Sequence, residues 1–290
     1  MNPTGIEWCT IKDQAGEILK RGYTCNPIVG CTARCGATAE HPEGWCYARR
    51  IATTRLGGSC KHFPDLENNP AHRHAGLDPD VSLCGQFFPH QHSDRLEDMH
   101  PRTKARGIFI GSMTDMWDPY VHPRWRDTIF DEIYCANPEQ QPEAYRFDTA
   151  RNTYWTLTKR PDLIGHTLGD DEWWFENIDN LWVGVSVTCG DDLWRIDELI
   201  EGVPERRFVS FEPLTGPIGL EPGHQELLDW IIVGGMTGPG AIPPEAGWVE
   251  QLVDSASARD VPVFVKDNLI NTMGEQWVRE RQQHPAAMKL

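Results

Sequence analysis

From residue 107 onward, short runs rich in β-branched and apolar residues alternate with segments of helical period. The runs are Gly107 to Ser112, Tyr154 to Thr158, Leu181 to Val187, Arg207 to Phe211, Trp230 to Gly234 and Val261 to Lys266. Their hydrophobicity is nearly continuous, as in parallel strands covered on both faces. Between them, Trp125, Ile129 and Ile133 recur at i, i+4 and i+8 behind Pro123. Leu193, Ile196, Leu199 and Ile200 follow candidate caps at Asp191 or Asp192, and Trp248, Leu252 and Ala256 repeat the helical spacing. This pattern predicts a βα architecture, either an open doubly wound sheet or a full or partial (β/α) barrel with helices outside. No G-x-G-x-x-G opens a helix after any of the runs, which favours the barrel.

A barrel places its site at the carboxyl ends of its strands. The residues there are Ser112 to Asp115, Lys159 and Arg160, Thr188 and Cys189, Glu212, Gly235 to Thr237, and Lys266 to Asn268. Strand ends meet polar loops in any protein, but the coincidence recurs at six ends. Residues 54–106 interrupt the alternation with many Pro and Gly and with His62, His72, His74, His90, His92 and His100, so a lid, an insertion or an ordered irregular layer is expected there. Residues 137–152 read as a solvated connection. The expected organisation is one barrel domain over 1–290, with a cysteine loop at 25–50 and an irregular insertion at 54–106.

Length and composition exclude several classes. The chain has 290 residues, 39% of them apolar, enough for a real core. Its longest apolar stretch, Leu227 to Val233, is broken by Asp229 and falls far short of the ~18 residues that span a bilayer, and no secretory signal is visible. A cytoplasmic protein without a membrane partner is expected. The formal charge of -16 disfavours non-specific adhesion to nucleic acid, although a local basic surface can coexist with it.

Nine cysteines, an odd number, point to metal or redox chemistry over a disulfide framework. Cys31-Thr-Ala-Arg-Cys35 and Cys46 place three thiols in one loop upstream of the first long strand. Thiolates suit zinc or an iron-sulfur cluster. A structural zinc site would take a fourth ligand from Cys25 or His41, whereas a cluster held by three cysteines keeps one iron open for a small molecule. Buried free thiols are the plain alternative. In the insertion, Cys84, His90 and His92 could hold a second metal, although loop histidines are commonly just solvated.

Longer motifs carry a resemblance. Ile6-Glu7-Trp8, Thr24-Cys25-Asn26-Pro27, Gly30-Cys31 and Trp45-Cys46-Tyr47-Ala48 resemble the phage and bacterial three-Cys-motif proteins, a family of unknown function. The stretches 108–119, 157–161, 182–187, 207–218, 229–241 and 261–266 extend the likeness over most of the chain. That family is in turn similar to radical S-adenosylmethionine (SAM) enzymes, with a full or partial (β/α) barrel and a [4Fe-4S] cluster held by C-x3-C-x-aromatic-C. The chain departs from that pattern in its ten-residue last interval, in Cys25 where relatives tend to carry Trp, and in Cys189 where they often carry an acid. The long interval requires the inserted residues to bulge outward.

The resemblance implies Cys31, Cys35 and Cys46 as cluster ligands. It implies SAM contacts from Tyr47, Gly111, Ser112, Thr114, Asp115, Ser186, Glu212, Gly234 and Gly235. Lys159, Glu212 and Cys189 are the catalytic candidates, Cys189 as a hydrogen-atom donor, with Arg160 and Lys266 as further cations for an anionic group. Turn chemistry, salt bridges and a simple buried thiol are the competing readings. The implied partners are a flavodoxin- or ferredoxin-type reductant and a small-molecule or nucleobase-containing substrate, with DNA contact weighed down by the acidic charge.

Overall fold

The computed structural model describes the chain except for residues 14, 34, 36–45, 101–103, 137–150, 165–170, 239 and 290. The connection expected at 137–152 therefore lies mostly outside the described residues, as do His41, Trp45 and the stretch between Cys35 and Cys46. Eleven strands occur among the described residues: β1 (Asn2–Pro3), β2 (Ile11–Lys12), β3 (Ile18–Cys25), β4 (Ile28–Val29), β5 (His90–Gln91), β6 (Arg106–Ile110), β7 (Thr153–Thr158), β8 (Leu181–Ser186), β9 (Arg207–Phe211), β10 (Trp230–Val233) and β11 (Val263–Val265). The α-helices among the described residues are α1 (Tyr47–Ile51), α2 (Pro70–His74), α3 (Leu83–Gln86), α4 (Pro123–Cys135), α5 (Asp171–Asn177), α6 (Trp194–Gly202), α7 (Pro222–Leu227), α8 (Ala246–Ser257), α9 (Ile270–Met273) and α10 (Glu275–Arg279).

Eight strands form one sheet in the order β1-β3-β6-β7-β8-β9-β10-β11, with β2 attached to β3. Every pairing from β3 to β11 is parallel, and β1 runs antiparallel at one edge. The sheet curls into a half-barrel with helices around it, so the partial form of the expected barrel is the one adopted. β4 and β5 make a separate antiparallel ribbon, joining the cysteine loop to the insertion.

The six predicted strands are β6 to β11, with ends shifted by at most two residues. β3 was not expected: Lys20 and Arg21 interrupt its apolar pattern, yet Lys20 is buried and donates from Nζ to Thr153 Oγ1 over 3.0 Å. The three predicted helices are α4, α6 and α8. Pro123 opens α4, whose Arg124 N–H is capped by His122 Nδ1 at 3.2 Å. Asp191 and Asp192 do not cap α6 as expected. They lie in a 3-10 turn before it, where Asp192 Oδ2 accepts from the Thr188 N–H and hydroxyl at 2.9 and 2.7 Å.

Side chains alternate between the two faces of each strand. One set, including Ile108, Ile110, Val183, Val185, Val209, Phe211, Ile231, Val233, Val263 and Val265, packs with Ile129, Ile133, Ile196, Leu199, Leu252 and Ala256 of the covering helices. The other set, Phe109, Trp155, Trp182, Phe208, Trp230, Ile232 and Phe264, gathers around Trp8 on the opposite face. Trp8 touches Phe109, Trp155 and Trp230, with ring centroids 5.1 to 5.9 Å apart. Burying each such ring stabilises the fold by on the order of 2–3 kcal/mol. Among the described residues no helix is long and apolar enough to cross a membrane.

Gly107 opens the aromatic face on β6, and a Cβ added there would lie 2.1 Å from the Cys9 carbonyl oxygen and 2.7 Å from the Trp155 ring. Backbone cannot yield cheaply, so Gly107→Ala is expected to cost about 1–3 kcal/mol in urea unfolding. Gly247→Ala in α8, where a Cβ meets nothing within 4 Å, should be neutral or stabilising by up to about 1 kcal/mol.

Candidate functional site

β3 ends at Cys25, and the chain must turn from there into the cysteine loop. Asn26 holds that turn against the end of β6: its Oδ1 accepts from the Ser112 hydroxyl at 3.1 Å and from the Met113 N–H at 3.0 Å. Gly30 then docks into the same strand end. Its N–H donates to Met113 O at 2.9 Å, and its carbonyl accepts from Thr114 Oγ1 at 2.6 Å. The next residue is Cys31, whose N–H donates to Phe87 O at 3.0 Å. Buried Asp118 fixes Thr32, accepting from its N–H and hydroxyl at 2.6 and 2.7 Å, and Arg160 lies 3.9 Å from the same carboxylate. Arg49 donates to the Cys31 carbonyl at 3.3 Å while its guanidinium covers Phe87.

Cys35 and Cys46 are thereby neighbours, and Cys31 lies close enough to bear on the charge of Cys35, although the three thiols do not all approach within 4.8 Å of one another. The Cys35 thiol hydrogen-bonds Cys46, and Cys35 also feels Cys31 electrostatically. That hydrogen bond raises the Cys35 pKa and lowers that of Cys46 to about 6. Cys46 immediately precedes α1, so the first N–H groups of that helix, from Ala48 and Arg49, further favour its anion. Cys31 is pushed up, first by burial and then by Asp115 and Asp118. Lys159 stands beside Cys35; burial lowers its pKa, and Cys35 and Asp115 oppose that shift.

Cys25 does not join them. It is buried in the helix-facing core, its Sγ 3.5 Å from the Arg95 carbonyl, whereas Cys31 and Cys46 pack in a different cluster with Ala48, Cys84 and Phe87. The four-thiolate set with Cys25 is therefore not assembled, because β3 points Cys25 to the helix side.

The remaining strand-end residues divide into two groups. Ser112, Thr114 and Asp115 are engaged in holding the loop after β6. Asp115 is buried, accepts from Trp117 N, Thr158 Oγ1 and Lys159 N at 3.1, 2.7 and 2.9 Å, and has its pKa raised by burial. Tyr47 reaches across to donate to the Ser112 carbonyl at 2.8 Å. The second group continues the aromatic face in steps of two: Phe109 leads to Gly111, Trp182 to Ser186, Phe208 to Glu212, Trp230 to Gly234, and Phe264 to Lys266. Glu212 and Lys266 form an ion pair across this face, and Lys266 lies 3.8 Å from Glu7. A Cβ on Gly234 would meet Lys266 Cδ at 2.9 Å and Glu212 Cδ at 3.1 Å. Gly235 is clasped by Asn268, which accepts from its N–H at 3.1 Å and donates to its carbonyl at 2.8 Å. Cys189 is half-buried at the turn after β8, near Gly216.

The insertion contains a second donor cluster. Cys60, Cys84 and His90 offer ligand atoms all within 4.8 Å of one another, and so do His62, His90 and His92. The expected Cys84, His90 and His92 are thus neighbours, joined by Cys60 and His62, which the sequence reading passed over. Burial holds His90 and His92 neutral, at about 4 and about 3, and raises Cys84 to about 12. Asn26, Thr32, Arg49 and Asp118 were also missed. Asn26 and Asp118 lie inside the stretches Thr24 to Pro27 and 108–119, and a polar residue amid apolar neighbours is the signal that could have found them.

An α/β half-barrel with three interacting thiols at the carboxyl ends of its strands defines the class. The chain belongs to the family described as a protein of unknown function (DUF5131), which it matches over residues 4–286. No curated protein and no solved structure matches it.

The thiol geometry predicts selective reactivity in the metal-free reduced protein. At pH 7 iodoacetamide should modify half-buried Cys46 faster than exposed Cys135, whose pKa is raised by burial and by Asp131 and Glu132. The thiolate of Cys46 is largely present above pH 6 and that of Cys135 only above the ordinary thiol range, so the advantage shrinks as pH rises past about 9. Peptide mapping by mass spectrometry reads both rates.

Proposed function

We propose that this protein is a radical SAM enzyme, with Cys31, Cys35 and Cys46 as the ligands of a [4Fe-4S] cluster. The observation that carries the reading is the gathering of these three thiols, through Asn26, Gly30, Asp118 and Arg49, at the carboxyl ends of parallel strands. The chemistry of the donors supports the reading: three soft thiols, one of them already inclined to the thiolate form. When bound, such a cluster supplies the electron that cleaves SAM to methionine and a 5′-deoxyadenosyl radical.

The chain's own residues would act around that chemistry. Lys159 places a cation beside Cys35 and offsets the negative charge of the ligated thiolates. Ser112, Thr114 and Asp115 position the loop after β6, leaving its backbone and Gly111 to face SAM. Glu212, presented at the end of β9 and paired with Lys266, is suited to an amino or hydroxyl group. Ser186 and Gly234 complete the polar rim, Gly235 shapes the turn beyond it, and the aromatic floor below excludes water. Cys189 stands at the rim as a candidate hydrogen-atom donor. The substrate class we favour is a small or locally held nucleobase-containing molecule, since the charge of -16 opposes a clamp on duplex DNA. A flavodoxin- or ferredoxin-type protein would deliver the electron.

Anaerobic reconstitution with iron and sulfide tests this directly. We expect about four irons per chain, broad visible thiolate-to-iron absorption, and release of 5′-deoxyadenosine when SAM and a reductant are added. Cys31→Ala, Cys35→Ala and Cys46→Ala should each abolish the absorption, and Cys25→Ala should retain it. Iron uptake that survives loss of all three thiols, or a reconstituted cluster that never cleaves SAM, would reject the reading.

A further inference from the structure

The donor cluster of the insertion is used by none of the chemistry above. Its spacing is Cys60-x-His62 and then Cys84-x5-His90-x-His92. Three pieces of backbone converge to build it. The turn after α1 carries Cys60 and His62, α3 carries Cys84, and β5 begins with His90. The first two are fastened together: Leu83 N–H donates to His62 O at 2.8 Å, and the Ser82 hydroxyl donates to Gly57 O at 2.7 Å.

We propose that Cys60, Cys84, His90 and His62 bind one zinc ion, which ties together the segments of the insertion that pack against the cysteine loop. Zinc bonds of ~2.3 Å to sulfur and ~2.0–2.1 Å to nitrogen put tetrahedral sulfur and nitrogen ligands roughly 3.6 Å apart. The observed separations bracket that value: Cys84 Sγ to His90 Nε2 is 3.3 Å, Cys60 Sγ to His90 Nε2 is 3.7 Å, and Cys60 Sγ to His62 Nδ1 is 3.8 Å. His90 Nδ1 lies 2.8 Å from the Phe88 carbonyl, so it donates there and leaves the Nε2 lone pair facing the two thiols. An imidazole ligand oriented by its other nitrogen is the usual arrangement around a metal. Two thiols and two imidazoles, with no carboxylate in either donor group, select zinc over calcium, magnesium or manganese. Binding deprotonates both thiols, releasing two protons as two sulfur-metal bonds form. We take His62 as the fourth ligand because its Nδ1 lies 3.8 Å from Cys60 Sγ and its ring groups with His90; His92 Nε2 lies 3.0 Å from the same His90 Nε2 and competes for that nitrogen in the metal-free protein.

This tie has a mechanical target. β5 pairs with β4 in the register Val29 to His90, and His92 N–H donates to Pro27 O at 2.6 Å. Cys84 shares a packing cluster with Cys31 and Ala48. An ion at His90 and Cys84 thus immobilises the segment from which Cys31 projects.

The test is metal analysis of the purified chain beside the Cys31→Ala, Cys35→Ala, Cys46→Ala triple variant. Both should carry one zinc per chain, which separates this site from the iron-binding thiols whatever becomes of that reading. Cys60→Ser and Cys84→Ser should lower zinc occupancy at least about tenfold, and His92→Ala should keep it. Removing the ion from the parent chain should lower the melting temperature by about 5–10 °C. Cobalt substitution of the parent chain decides the matter if a variant fails to fold: strong tetrahedral bands with thiolate charge transfer support the site. Weak octahedral bands, zinc that survives loss of both cysteines, zinc lost in His92→Ala, or a Cys60–Cys84 disulfide in the metal-free protein would overturn the assignment.

Discussion

Gly30 is the point on which the arrangement turns. Its φ of +104° lies in a region that side chains rarely tolerate, and a Cβ there would sit 2.2 Å from the Phe88 carbonyl oxygen. This closeness lets one residue meet three parts of the chain. Its N–H and carbonyl bond the strand-end loop at Met113 and Thr114, its flank lies against the insertion, and its carboxyl side is Cys31. Any side chain at residue 30 would separate the insertion from β4, and the first thiol would lose the backbone that aims it. Half-buried Asn26 and buried Asp118 brace the two ends of the same segment with side-chain acceptors, and at Asp118 a lost partner would cost about 1–3 kcal/mol.

The half-barrel supplies a second ordering. Along each parallel strand the inward positions pass from Phe or Trp to small or charged residues within two to four steps, as Phe208, Ser210 and Glu212 show on β9. The aromatic end packs on Trp8 and is dry; the polar end carries Lys159, Glu212 and Lys266. Burial at one end therefore fixes the register that presents charge at the other, since a one-residue slip would turn Glu212 to the helix side and Phe208 away from Trp8.

This ordering explains what could be read before the structure. Continuous apolar runs marked β6 to β11, and the polar residues after them marked the mouth, because period and strand polarity are local properties of sequence. β3 escaped because Lys20 is buried through a bond to Thr153, a partner 133 residues away. The three thiols were legible from composition, yet the separation of Cys25 from them depends on which face β3 gives to the helices. Cys60 and His62 were invisible as donors for the same reason: only the contact between the turn after α1 and α3 brings them to Cys84 and His90.

The two sulfur-bearing sites differ in a way that follows from their walls. In the insertion, two thiols and neighbouring imidazoles face one another over distances suited to a single ion, and the site is closed by its own ligands. At the strand ends, Lys159 stands beside Cys35, and Cys35 and Cys46 are only half-buried. Were both sets to hold metal as proposed, the closed one would leave no coordination position for chemistry and would contribute to stability, whereas three ligands would leave a position for a small molecule. Because Cys31 and Cys84 belong to one packed cluster, order imposed at the closed site is transmitted to the open one through a few buried side chains. The insertion then reads as the support that holds Cys31 at the mouth, at a place where the chain has no strand of the main sheet to do so.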